Sequence, residues 1–390
     1  MPVKPFIIPT DSSREANIKQ RMADYQWPVA MQLKDSENPW DFGMDQVWLK
    51  DFCRYVVEDY KWQETVDELN RFDHFSAEID NLNIHFIRED GSGDSPKPFL
   101  MTHGWPGSVY EFINVIDRLA HPENYGGNEQ DGVTVICPSL PGYGFSDAPP
   151  RPIGQVTTAK LWDKLMVEEL GFQNYIAQGG DWGSVVTSLI GLNHSVAKGG
   201  GCAAIHINMY GLRANATPET EEEHTWMADA QAVIEAESAY LQLQMSKPQT
   251  LIYAMLESPV GAAAWILEKF YSWSDLPENN GRPDIDKRYS RHALASNLMM
   301  YLMTDRFMSA VWYYRGFAEE MPHIPPDEKV TVPVGVGQFS DTYFSFPPRR
   351  MMEESFHVTH WANFDDAGHF AAMENPIQFV SAIQNFLREL

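Results

Sequence analysis

The sequence predicts an α/β fold: a mostly parallel central sheet flanked by helices, with a helical cap and an N-terminal extension. Three observations carry this expectation. Short apolar runs bounded by turn residues alternate with helical patterns through PFLMTHGWPG, GVTVICPSLPGYG and NYIAQGGDWGS, the pattern of strands linked by crossover helices. From about residue 210 to 325 that alternation gives way to helices and long loops rich in Met, Trp and Tyr. It resumes at TVPVGVGQF (331–339). The helical block therefore interrupts a sheet and sits over its strand ends, where open α/β sheets bind ligands.

In chain order, residues 1–90 are expected as an extension wrapping the core, 91–210 as the first part of the core, 211–328 as the cap and 329–390 as the second part of the core. Residues 1 to about 80 read as mostly helical, broken at Pro28 and DSENPWDFG. FSAEIDNLNIHFIRE (75–89) alternates with period two and reads as a hairpin turning near Asp80 and Asn81. Strands are expected from Pro98, within 132–149, at NYIA (174–177), at CAAIHINM (202–209), at 331–339 and around HVTHWANFDD. A helix is expected near Thr158–Leu170, one with an apolar face at SVVTSLIGL, and an amphipathic one at the end.

The chain has 390 residues, 44% hydrophobic and 13% aromatic, so it can bury a sizeable core. A net charge of −25 and a pI of about 4.8 disfavour nucleic acid or an anionic membrane as partner, since each would repel it. Three scattered cysteines, Cys53, Cys137 and Cys202, fit free thiols in a reducing compartment. No run resembles a signal peptide or approaches about 18 apolar residues, so no membrane span and a cytoplasmic location are expected.

QGGDWGS (178–184) joins an apolar strand to an apolar helix. Small residues at Gly179 and Gly183 around an acid are what a sharp nucleophile elbow requires. The plain alternative for Asp181 is a helix N-cap. A carboxylate on such an elbow suits attack on a saturated carbon, giving an ester bonded to the protein. His369, in DDAGHFAAMENP, follows the last strand and stands where a base would activate water against that ester. Asp341, the carboxylate of FSDTYFSFPPRR, is favoured to orient it over Asp365 and Asp366. In HGWPGS (103–108), Gly104 permits close backbone approach. The backbone N–H groups of Trp105 and Trp182 would then receive the oxyanion. Tyr240 and Tyr314 in the cap are candidates to protonate an alkoxide, with Tyr313 the neighbour most easily confused with Tyr314. EEEHTW (221–226) lacks metal-ligand spacing and reads as a helix start. GSG (91–93) reads as a turn.

Together these residues resemble the epoxide hydrolases of the microsomal type, within the α/β-hydrolase superfamily. KPF, RMADYQWP, YKWQETVDELNRF and IHFIRE look like that family's N-terminal extension. HGWPGS, PSLPGYGFSDAP, GGDWG, SKPQT, ESPVG and AGHFAAMENP look like its core and cap motifs. The resemblance implies the α/β-hydrolase fold and conversion of an epoxide and water to a vicinal diol, without a cofactor. Asp181 matches the nucleophile, His369 the base, Tyr240 and Tyr314 the ring-opening acids, and Trp105 and Trp182 the backbone donors. Two positions depart. The family usually carries FPxD or FPxE after the strand. Here FSDT puts Ser340 in the proline's place, Asp341 one place early and Thr342 at the usual acid position. FDDAGHF stands where two glycines and a basic residue are more usual, so Asp366 is expected to add negative charge near the base.

Two other readings compete. A haloalkane dehalogenase also uses an aspartate elbow, but lacks the N-terminal extension and the cap tyrosines. A turnover-impaired binding protein of the same fold would follow if FSDT left His369 without an acid. The substrate is expected to be a small apolar epoxide, because the cap is rich in Met and aromatic residues. A homodimer through the cap or the extension is a further expectation.

Overall fold

The central sheet has nine strands: β1 (Lys4–Pro5), β2 (Asp73–Ile79), β3 (Leu82–Glu89), β4 (Lys97–Thr102), β5 (Val133–Pro138), β6 (Tyr175–Gly179), β7 (Cys202–Ile207), β8 (Val330–Gln338) and β9 (Phe356–Asn363). This is a computed structural model, and it describes residues 3–34, 37–213, 216–341 and 343–390. The spatial order is β1-β2-β3-β5-β4-β6-β7-β8-β9. Pairing is antiparallel from β1 to β5 and parallel from β5 to β9. Asp80 and Asn81 turn the β2–β3 hairpin at φ 50° and 65°, the left-handed pair that a two-residue turn between twisted strands needs.

Every residue of β5 and β6 is buried, as expected of strands covered on both faces. Helix α4 (Gln155–Lys164) precedes β6, and α5 (Trp182–Asn193) follows it. Two helical expectations are revised. The helix near Thr158–Leu170 begins at Gln155 and ends in a wider π-turn over Leu165–Glu169. In α5 every residue from Trp182 to Leu192 is buried, so it is buried all round rather than on one face. It packs against β6, β7 and β8 on one side and against α4 on the other, which leaves it no solvent face.

The extension contributes α1 (Ser12–Ala23), α2 (Gln46–Glu58) and α3 (Trp62–Leu69). Asp11 caps α1 by accepting from the Ser13 and Arg14 N–H groups. The cap is built from α6 (Glu221–Glu237), α7 (Ala239–Ser246), α8 (Pro248–Glu257), α9 (Pro259–Trp273), α10 (Arg291–Leu302) and α11 (Phe307–Glu320). The extension holds sheet and cap at once. Lys4 and Pro5 pair with Ser76 and Phe75 at the sheet edge. Arg14 Nε donates to Leu302 O at 2.7 Å, and Arg21 Nη2 to Leu256 O at 2.8 Å. Trp40 stacks on Tyr271 with ring centroids 4.0 Å apart, and the Thr65 and Ser296 hydroxyls lie 2.7 Å apart.

Cys53, Cys137 and Cys202 are buried free thiols. Among the described residues no single helix is long and apolar enough to cross a membrane. Helices α8 and α9 meet that test only together, bent by 116°.

Candidate active site

Six chain segments bring the sequence-chosen residues together over the carboxyl ends of β4, β6, β8 and β9. The first is the elbow. Asp181 takes φ 47° and ψ −129°, a conformation that costs a non-glycine residue energy and is held only by its surroundings. A Cβ on Gly183 would run into the Thr102 carbonyl, so this turn requires glycine there. Asp181 occupies the N-cap position of α5, but its side chain makes no capping hydrogen bond. Its Oδ1 accepts instead from the Trp105 N–H at 2.8 Å. Trp182, the first residue of α5, adds one of the unpaired N–H groups of a helix start.

The loop after β4 supplies Trp105. A Cβ on Gly104 would overlap the Asp181 carboxylate, so only glycine lets this backbone reach it. His103 fastens the loop to its neighbour. Its Nε2 accepts from the Leu140 N–H at 3.1 Å, and its Nδ1 lies 3.0 Å from the Gly104 carbonyl. Burial pulls its pKa down to about 4, so the ring is neutral and Nδ1 is the donor.

The third and fourth segments, after β8 and β9, carry Asp341 and His369, the expected acid and base. His369 Nε2 is 3.3 Å from Asp181 Oδ2, and Nδ1 is 2.7 Å from Asp341 Oδ2. Burial opposes the charge on the imidazole. The two carboxylates, Asp341 foremost, outweigh it and raise the pKa to about 10. Asp341 Oδ1 accepts from the Tyr343 and Phe344 N–H groups at 2.9 and 2.8 Å. Thr342 lies outside the described residues. The early position of Asp341 therefore does not deprive His369 of a carboxylate. The expectation for Asp366 is corrected: it sits at φ 68° and pairs with Arg288 at 2.9 Å, so its charge is neutralised away from the base.

The last two segments are the cap helices α7 and α11. Tyr240 on α7 stacks on Trp105 with centroids 5.4 Å apart, and Tyr314 on α11 meets Trp105 edge-on at 5.6 Å. The two tyrosine rings are 5.9 Å apart. Burial, reinforced by nearby tyrosines and the Asp181 charge, holds both phenols well above the usual range. Both are therefore protonated. Tyr313 points elsewhere and donates to Thr158 Oγ1 at 2.8 Å. Asp181, Tyr240 and Tyr314 line a pocket of about 360 Å³ whose other walls include Trp182, Leu241, Phe317 and Phe344.

Some contributors carried no assigned role in the sequence. Glu374 braces the His369 loop, accepting from the Gly368, Phe370 and Asp275 N–H groups at 2.8 to 2.9 Å. It lies within the AAMENP motif, which was its only signal. The Trp273 carbonyl accepts the His369 N–H at 3.0 Å. Among the described residues no group of three or more His, Cys, Asp or Glu could hold a metal. In EEEHTW, Glu223 completes the capping box that Thr220 opens on α6 and pairs with Arg350 at 2.6 Å.

The family model "Epoxide hydrolase N terminus" matches residues 3–112, and the α/β-hydrolase-fold model matches residues 97–209. Epoxide hydrolase 1 of Oryctolagus cuniculus is 32% identical, aligned over 96% of this chain and 86% of its own. The chain belongs to the epoxide hydrolase family. This epoxide hydrolase is also 30% identical to juvenile hormone epoxide hydrolase of Bombyx mori, over 99% of this chain and 87% of that one. The crystal structure of juvenile hormone epoxide hydrolase from the silkworm Bombyx mori superposes on it with a TM-score of 0.86 at 28% identity, covering 99% of this chain and 94% of that chain. The resemblance read from the motifs is borne out, as is the α/β-hydrolase fold.

Proposed function

We propose that this hydrolase opens its epoxide through a covalent ester on Asp181. The observation that carries the proposal is the setting of that carboxylate. Oδ1 is held by the Trp105 N–H, and the residue faces the pocket that Tyr240 and Tyr314 line. Oδ2 attacks an epoxide carbon. The ring C–O bond breaks, and its electron pair moves to the ring oxygen, which takes a proton from Tyr240 or Tyr314. Esterification removes the negative charge of Asp181, one of the two charges that keep His369 protonated. The imidazole then releases its proton and restores the phenol.

Neutral His369 is now a base. Water adds to Cγ of Asp181 while His369 Nε2 takes its proton. The oxyanion forms on the Asp181 carbonyl oxygen, beside the backbone N–H groups of Trp105 and Trp182. Collapse breaks the Cγ–O(alkyl) bond, and the alkyl oxygen takes the proton from His369. The acid proton left on Asp181 passes to His369, which restores the starting ion pair. An aspartate rather than a serine fits this chemistry, because the first attack is on a saturated carbon and the second on the carbonyl that it creates.

The pocket favours a small apolar epoxide: its walls are largely aromatic and aliphatic, and its volume suits a ligand of modest size. The test is intact-protein mass spectrometry during incubation with styrene oxide, with diol measured in parallel. Turnover in the wild type, none in Asp181→Asn and a persistent adduct in His369→Asn are the expected results. Diol formation by Asp181→Asn at the wild-type rate would overturn the covalent route.

A further inference from the structure

A second, much smaller cavity lies against Asp181 and His369, distinct from the pocket lined by the cap tyrosines. Its volume is about 20 Å³, room for one water, which needs roughly 10–15 Å³. Polar groups converge on it. Glu111, on the short 3-10 turn Val109–Phe112, lines it together with Asp181, His369 and Asn208. His369 Nε2 is at ion-pair distance from Asp181 Oδ2, yet this buried nitrogen makes no hydrogen bond to any described residue. A buried polar atom of that kind calls for a partner. Phe112, Phe370 and Phe379 add apolar walls, and His103 and Trp105 also line it.

Glu111 is placed there at a cost. A Cβ on Gly107 would overlap the Glu111 carboxyl, so glycine there leaves that carboxyl its place. Burial and the Asp181 charge push that carboxyl up to about 8, against the pull of His369 and the Ser108 and Gly104 backbone groups. At neutral pH it is thus mostly a neutral acid, able both to donate and to accept a hydrogen bond. The other titratable groups whose charge couples to it are Cys137, Tyr289 and Tyr301, which are neutral at that pH because burial raises all three.

We propose that Glu111 is a positioning residue that holds the hydrolytic water of the second step in this cavity, within reach of His369 Nε2. The inference rests on the covalent route proposed above. This cavity is not lined by the cap tyrosines, so the water can wait there while the substrate occupies the larger pocket. When the ester forms, its oxygen bonds to Cγ of Asp181 and its proton goes to Nε2. Glu111 itself ends the step unchanged.

The test separates the two chemical steps by single-turnover mass spectrometry with styrene oxide. In Glu111→Met, which keeps the volume and removes the polar end, adduct formation should stay within about twofold of wild type. Adduct decay should slow at least tenfold, so that the adduct accumulates. Glu111→Gln, which can also donate and accept, should restore decay to within about threefold of wild type. Glu111→Asp withdraws the carboxyl by one methylene and carries the same expectation as Glu111→Met, should the methionine variant not fold. Equal slowing of both steps, or decay unchanged in both Glu111→Met and Glu111→Asp, overturns the role. The His369→Asn adduct serves as the control. If it traps while the Glu111 variants behave as wild type, only the water-site proposal falls. If no variant yields an adduct although diol forms, the covalent route itself falls.

Discussion

Asp341 Oδ2 lies 2.7 Å from His369 Nδ1, while its other oxygen is tied to the Tyr343 and Phe344 N–H groups. The carboxylate is thus fixed at both ends and can hold one tautomer and one orientation of the imidazole. Asp341→Asn should leave ester formation nearly intact and slow ester hydrolysis by about 10³–10⁴-fold, the scale on which catalytic triads lose rate when the orienting acid becomes an amide. Adduct accumulation followed by mass spectrometry checks this. Asp366→Asn should leave hydrolysis within about twofold of wild type, because Asp366 is engaged by Arg288.

Tyr313 and Tyr314 are neighbours in sequence with opposite surroundings. Tyr314→Phe together with Tyr240→Phe should slow adduct formation by about 10²–10⁴-fold, the usual worth of general acid catalysis. Either single change should cost less, since the other phenol remains. Tyr313→Phe loses only the hydrogen bond to Thr158, worth about 0.5–1.5 kcal/mol of stability. Stopped-flow Trp fluorescence reports the first effect, and a urea melt the second.

His369 titrates at about 10 in the folded chain because two carboxylates outweigh its burial. An unfolded histidine titrates near 6.5. The folded state binds the proton more tightly, so this contribution to stability is fully present below about pH 6.5. It is lost as pH rises through about 10. Urea unfolding of the wild type and His369→Asn at pH 6, 8 and 10 should show the wild type losing stability relative to the variant as pH rises. Parallel profiles would contradict the ion pairing.

Gly104→Ala places a methyl group where the Asp181 carboxylate lies. The strained elbow has little freedom to yield. Adduct formation should fall by at least about 10²-fold, as expected when reacting groups are displaced by about 1 Å, with the circular dichroism spectrum retained. The measured rate of adduct formation decides it.

Much of this site was legible because its chemistry constrains backbone as well as side chains. Gly104, Gly179 and Gly183 mark the places where segments nearly touch, and such glycines punctuate a sequence visibly. The strands were legible for a similar reason: β5 and β6 are buried on both faces and read as apolar runs. Helix α5 was expected with one apolar face, and its Ser184, Thr187 and Ser188 gave no sign of their burial. In the fold all three are buried, and Ser184 Oγ donates to the Asp181 carbonyl at 2.8 Å. The charge of Asp366 was misjudged because its partner, Arg288, is 78 residues away in the chain. Glu111 carried no signal of its own. Its surroundings come from the elbow and the loop before the last helix, and only folding assembles them.

The extension clasps the sheet edge with one end and the cap helices with its arginines and Trp40. Each of these contacts would have to break for the cap to swing aside as a hinged lid. With the cap so held, epoxide and diol would pass through an aperture set by the side chains at the pocket's rim, whose rotamers change in picoseconds to nanoseconds. The shape of that aperture then becomes a sieve for what the pocket admits.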